Sequence, residues 1–106
     1  MRKVALIAIA GLVCISSAAR SEDRTIVQKN RAFSAASSTV KIGDSLTFRN
    51  EDQVSHNLFS STPGQSFDLK IQRPGQSVTN IFTATGLVDI RCAIHPQMKM
   101  QVTVTN

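Results

Sequence analysis

The sequence predicts an all-β protein, a Greek-key β-sandwich of seven to eight strands, on three observations. Short runs of β-type residues follow one another from Thr25 onward, turn signals separate them at close spacing, and no helical periodicity of useful length interrupts them. The expected strands are 25–29, 39–42, 45–49, 56–60, 67–71, 78–82, 88–92 and 100–105. A polar leader, 21–24, precedes the first. Gly43-Asp44 divides the second from the third, Thr62-Pro63-Gly64 the fourth from the fifth, Arg73-Pro74-Gly75 the fifth from the sixth, and Thr85-Gly86 the sixth from the seventh. Glycine supplies backbone freedom at these points and proline a fixed φ. Period-two alternation assigns inward faces to Leu46 and Phe48; to Phe67, Leu69 and Ile71; to Val88, Ile90 and Cys92; and to Val102 and Val104. Segment 78–82 alternates poorly, and its faces are left unassigned. With no Trp or Tyr, the core rests on Val, Ile, Leu and five Phe residues.

The N-terminus reads as a targeting signal. Arg2 and Lys3 form a positive start, 4–15 is apolar apart from Cys14, and Ser17-Ala18-Ala19 offers small residues for cleavage. Residues 1–19 are therefore expected to be a signal peptide and 20–106 one small domain. The apolar run of about a dozen residues falls short of the roughly 20 that span a bilayer, so no membrane span is expected. Val13, rather than a small residue, precedes Cys14, which disfavours a lipid anchor there. Loss of Arg2 and Lys3 leaves 10 basic against 7 acidic residues, a net charge of +3. The charges are scattered, without a basic run or aromatic interleaving, so nucleic-acid binding has no support. Export leaves Cys92 as the lone cysteine in an oxidising compartment, where it needs either a metal bond or a free-thiol explanation.

Cys92-Ala93-Ile94-His95-Pro96-Gln97-Met98, about 35 residues after His56-Asn57, offers one thiolate, two imidazoles and a thioether to a single metal. Soft sulfur ligands select copper among first-row metals, and two His, one Cys and a weak axial Met form the set used for electron transfer at blue-copper sites. Zinc would take a second Cys, another His or a carboxylate in place of the thioether. Each residue has a plainer reading: a His at a strand start is commonly a surface group, Met98 alone fits an ordinary core, and Asn57 fits a strand edge. The three-residue spacings Cys92 to His95 and His95 to Met98 favour the metal.

Gly43-Asp44-Ser45-Leu46-Thr47-Phe48-Arg49-Asn50, Val54-Ser55-His56-Asn57 and Cys92-x-x-His95-Pro96-x-Met98 together resemble a small cupredoxin of the plastocyanin and amicyanin group. The resemblance covers most of 25–106, and the short Cys-to-Met spacing is similar to amicyanin. It implies one copper at one end of the sandwich, with His56, Cys92, His95 and Met98 as ligands. It also implies that the Asn57 side chain ties the His56 segment to the Cys92 loop, and that the Asn57 N–H points at the Cys92 sulfur. Many relatives carry Pro before the second His; Ile94 at that place restores an N–H and opens a second bond to sulfur. Ile90 and Arg91, before Cys92, weaken any transfer of the aromatic docking route of plastocyanins. Met100 shares parity with Val102 and Val104 and is expected in the core, which leaves Met98 as the axial ligand.

Four side-chain ligands leave no open position for substrate, and no Ser-His-Asp set, carboxylate pair or phosphate loop appears, so an enzyme is not expected. The resemblance implies an exported, periplasmic, monomeric one-electron carrier whose copper cycles between Cu(I) and Cu(II). Its partners would be redox proteins such as a dehydrogenase, a reductase or a c-type cytochrome. The alternative is a periplasmic copper-binding or delivery protein, to which Met100 beside Met98 gives some support. A structural β-domain with a free Cys92 is the third reading.

Overall fold

The computed structural model describes residues 20–106. The expected signal peptide, 1–19, lies outside the described residues. Nine strands follow: β1 Asp23–Lys29, β2 Ala32–Phe33, β3 Ser37–Lys41, β4 Ser45–Asn50, β5 His56–Ser60, β6 Phe67–Gln72, β7 Ser77–Ile81, β8 Gly86–Cys92 and β9 Lys99–Thr105. They form two sheets, ordered β2-β1-β4-β7 and β3-β9-β8-β5-β6. The chain crosses between the sheets after β2, β3, β4, β6 and β7, whereas β1–β2, β5–β6 and β8–β9 are paired within one sheet. Both sheets are mixed: β1 runs parallel to β4, and β3 parallel to β9.

Alternation decides the core. Leu46, Phe48, Val88, Ile90, Cys92, Met100, Val102 and Val104 are all buried, joined by Leu58 from β5 and Phe82 beyond β7. In β7 the inward positions are Val78 and Asn80, half-buried, while Ile81 is exposed. Asp44, after the turn at Gly43 (φ +94°), closes the opposite end of the molecule from Cys92. Its carboxylate accepts the N–H groups of Glu22 and Lys41, each at 2.8 Å, satisfying donors that strand pairing leaves free.

Two elements differ from the sequence expectation. The first is β2, which brings the count to nine rather than seven or eight. It folds back on β1 through Asn30 and Arg31, both with positive φ (54° and 55°), the backbone of a tight hairpin turn that twists with its strands. Phe33 thereby meets the edge of Phe48, ring centroids 6.2 Å apart. Two residues carry no periodicity, and Asn-Arg lacks the glycine that usually marks such a turn.

The second is the face of Ile71, expected inward and found 55% exposed. Pairing of β5 with β6 runs Asn57 to Ile71 and then Phe59 to Asp68, so β6 carries one extra residue. The bulge sits at Lys70, whose φ of 67° turns the strand. Because side chains alternate with period two, one extra residue reverses every face beyond it. Phe67 and Leu69 stay on the inner side, Ile71 turns out, and Gln72 turns in and is buried.

The bulge generates a prediction. A left-handed backbone costs a side-chain-bearing residue about 1–2 kcal/mol, and glycine gives back about 0.4–1 kcal/mol through its freer unfolded chain. Lys70→Gly should raise stability by less than about 1 kcal/mol, whereas β-branched Lys70→Val should lower it. Urea unfolding measures both, and a glycine variant weaker than the valine variant would contradict the bulge geometry.

Candidate metal centre

His56 is the first residue of β5 and Cys92 the last of β8, and these strands are neighbours, with Leu58 opposite Cys92. Pairing alone brings the two residues to one end of one sheet. The backbone continues the tie beyond the strands, since Ala93 N–H donates to the Asn57 carbonyl at 2.8 Å. The loop after Cys92 then returns within a few residues: Met98 N–H donates to the His95 carbonyl at 2.9 Å, and Cys92 N–H to the Met98 carbonyl at 3.3 Å. This tight return carries His95 over the strand ends.

Three donor atoms converge there. His56 Nδ1 and His95 Nδ1 are 3.2 Å apart, and Cys92 Sγ lies 3.7 Å from the first and 3.8 Å from the second. A point equidistant from atoms so spaced lies about 2.1 Å from each, against metal–imidazole bonds of about 2.0–2.1 Å and metal–thiolate bonds of about 2.3 Å. His56 and Cys92 are buried and His95 is half-buried. The imidazoles meet edge to face, with centroids 5.0 Å apart. One thiol sulfur with two imidazole nitrogens around a single point is a donor set that copper fits.

Neighbouring groups orient the donors. Asp52 Oδ2 lies 3.1 Å from His56 Nε2. A carboxylate only accepts hydrogen bonds, so it places the ring proton on Nε2 and leaves the Nδ1 lone pair facing the other donors. Asp52 is fixed in turn: Arg31 N–H donates to Oδ2 at 2.8 Å, and the Asp52 N–H donates to Asn50 Oδ1 at 2.9 Å. Asn50 Nδ2 reaches the carbonyls of Val54 and Gln72 at 2.9 and 3.0 Å. Gln72, opposite His56 in the β5–β6 pair, accepts from Gln28 Nε2 at 2.7 Å and donates to the carbonyls of Phe48 and Gln76. A chain of buried amides from both sheets thus ends on the back of the His56 ring.

The sequence-derived residues fall as follows. His56, Cys92 and His95 come together. Met98 is buried in the same loop and Met100 is buried opposite Ile90 in the β8–β9 pair. Asn57 N–H points at Cys92 Sγ at 3.5 Å, as expected. Its side chain does not join the Cys92 loop, however: Nδ2 donates to Asp68 at 2.8 Å, and the Asn57 carbonyl makes the tie instead. Asp68 on the adjacent edge strand accepts this amide and the Lys70 N–H on one oxygen, each at 2.8 Å. The Ile94 N–H makes no hydrogen bond to the sulfur among the described residues, and the Ile94 side chain is 46% exposed. Asp52 was missed, although a carboxylate four residues before a candidate ligand was a readable signal. Gln28 and Gln72 gave none, because polar residues in strands read as outward.

A sandwich with a Cys-His-His cluster at one end defines a copper-binding β-domain, and comparison with known proteins gives it a family. Residues 22–105 match the copper binding proteins of the plastocyanin/azurin family, and the chain belongs to that family. It is 35% identical over 65 residues to the methylamine utilization protein MauL of Methylorubrum extorquens. To amicyanin-alpha of the same organism it is 35% identical over 68 residues. The matched stretches take in 60% and 61% of this chain and 57% of each relative, so the chain spans less than two thirds of their length. Among solved structures, the purple cupredoxin from Nitrosopumilus maritimus superposes with a TM-score of 0.68 at 22% identity, over 76% of this chain and 98% of that one. A reduced Cu(I) form of an amicyanin variant superposes at 0.71 and 22% identity, over 83% and 85%. These structural likenesses show a common fold.

Burial of His56 and the hydrogen bonds to Asp52 set the acid response of the metal-free protein. Desolvation holds His56 below the ordinary imidazole pKa despite the opposing pull of Asp52. The Arg31 N–H, and then the His56 ring, hold Asp52 below the usual carboxylate range. Both folded-state pKa values are depressed, so each contribution is complete above the unfolded value and is lost as pH falls below it. The metal-free protein should therefore weaken first below about pH 6.5 and again below about pH 4. Urea midpoints measured between pH 7.5 and 3.5 check this; a midpoint constant down to pH 5 would mean that His56 is protonated without cost in the fold.

Proposed function

We propose that the protein is an exported, periplasmic one-electron carrier, not an enzyme, with one copper held by His56, Cys92, His95 and Met98. The observation that carries this reading is the convergence of two imidazole nitrogens and one thiol sulfur at a single buried point. Bound there, copper supplies a Cu(II)/Cu(I) couple and keeps the Cys92 thiol deprotonated. Cys92 gives a soft anionic sulfur, whose charge the Asn57 N–H offsets. Asp52 and the amides behind it hold the His56 ring at one angle, so the donors have little freedom to rearrange when charge changes. His95, half-buried next to the exposed Ile94, is the donor nearest to a docking redox protein. Met98 stands as the axial group because Met100 is committed to the core opposite Ile90. Both thioethers are buried, which disfavours the delivery reading, since that needs an accessible, exchangeable site.

Absorption and voltammetry of the copper-loaded protein test the assignment. Wild type should show an intense thiolate-to-copper band and cycle reversibly by one electron without losing metal. Cys92→Ser should abolish the band, since a hydroxyl does not replace a soft thiolate. Full colour in that variant, or metal loss on every cycle, would refute the carrier reading. Between the methionines, Met98→Gln should shift both spectrum and potential. Met100→Leu should leave both in place and change stability by less than about 1.5 kcal/mol. The opposite pattern would make Met100 the ligand.

A further inference from the structure

Arg91 and Lys99 stand directly opposite each other in the β8–β9 pair, and both side chains are exposed on the outer face of their sheet. Cys92 N–H bonds to the Met98 carbonyl, which makes that pair the hydrogen-bonded one. Arg91 and Lys99 are then a non-hydrogen-bonded pair, the kind in which facing side chains come closest. Like charges so placed are destabilising. Among the described residues, neither cation has a carboxylate within 4.0 Å, whereas Arg49 has Glu51 at 3.2 Å and Lys70 has Asp68 at 3.8 Å. The acid next along the same face, Asp89, is engaged by Gln101 Nε2 at 3.1 Å. A hollow lined by Ala36, Asp89, Arg91, Lys99, Met100 and Gln101 adjoins the pair.

The position is as informative as the charge. Arg91 precedes Cys92 and Lys99 follows Met98, and alternation turns the first pair of side chains out and the second pair in. A molecule resting on the two cations covers the outside of the strand ends whose inner side carries the proposed copper ligands. We infer that Arg91 and Lys99 form a docking point for the carboxylates of an acidic redox protein, on the outer face of the sheet and separate from the apolar ground beside His95. The inference rests on the carrier reading for its purpose. An acidic surface relieves the repulsion between the two cations, and the net positive domain steers such a partner over a distance that salt shortens to about 10 Å at 0.1 M. One peptide link then joins the contact to Cys92.

A decaglutamate peptide serves as the carboxylate probe, titrated at low salt into the ¹⁵N-labelled protein in both metal-free and Cu(I) forms. Amide shifts should saturate and centre on 89–92 and 99–101. In the double variant Arg91→Gln, Lys99→Gln binding should weaken by about tenfold. The same variant should unfold at an equal or higher urea concentration than wild type, because it loses a like-charge pair, and its copper spectrum should be unchanged. Shifts centred on 29–31 and 73, or on 94–97, would overturn the inference, as would a double variant that binds the peptide normally or is less stable. Saturable shifts at 89–92 produced equally by inorganic phosphate at matched ionic strength would make the place a small-anion site and not a protein contact. The titration reads no copper chemistry, so a failure of copper loading and a failure of docking are seen separately.

Discussion

Three lone-pair donors held 3.2 to 3.8 Å from one another are the constraint on which the rest of this structure depends. His56 Nδ1, left as a lone pair because Asp52 holds the ring proton on Nε2, meets His95 Nδ1 and Cys92 Sγ at one point. The fold supplies the restraint. β5 and β8 are hydrogen-bonded neighbours, the Ala93 N–H extends their tie, and the return from His95 to Met98 closes the loop within one turn. Each donor therefore hangs from backbone that is already fixed, and a cation entering the cluster meets a geometry with little left to organise.

Behind the donors the interior is polar where a sandwich of this size would ordinarily be apolar. Gln28, Asn50, His56 and Gln72 are buried together, and their hydrogen bonds run from β1 and β4 in one sheet to β5 and β6 in the other. Buried amides contribute when they are paired and cost about 1–3 kcal/mol when one is left open. Gln28 Oε1 is left without a partner among the described side chains, the single open place in an otherwise closed chain. Closure elsewhere makes the network directional, because Asp52 can satisfy Arg31 and His56 with one oxygen only while Asn50 holds its backbone. The network fixes the orientation of the His56 ring through Asp52.

The outer surface divides into two kinds of ground near the metal-binding end. Ile94 and Ile71 are large apolar residues left in solvent, on the loop beside His95 and on the edge strand β6. Arg91 and Lys99 put charge on the sheet face one residue away from Cys92 and Met98. An apolar contact tolerates many partners and is insensitive to salt, whereas a charged one selects by sign and acts at a distance.

Composition and period determined the all-β class, the close strand spacing and most of the core, because a side chain's face follows from parity wherever strands are regular. Leu46, Phe48, Val88, Ile90, Val102 and Val104 lie where alternation puts them. The Cys-His-His cluster was legible for a related reason: Cys92 and His95 are close in the chain, and a thiol beside imidazoles suits a soft metal. Tertiary structure alone decided what depended on a break in parity or on a contact between distant segments. The extra residue at Lys70 turned Ile71 out and Gln72 in, and no pattern in residues 67–72 announces a bulge without glycine. Asn57 chose Asp68 over the Cys92 loop, and Asp52 chose His56, through competition among nearby donors and acceptors that only the folded chain sets against one another. Hydrogen bonds are won by distance and angle, and a sequence records neither.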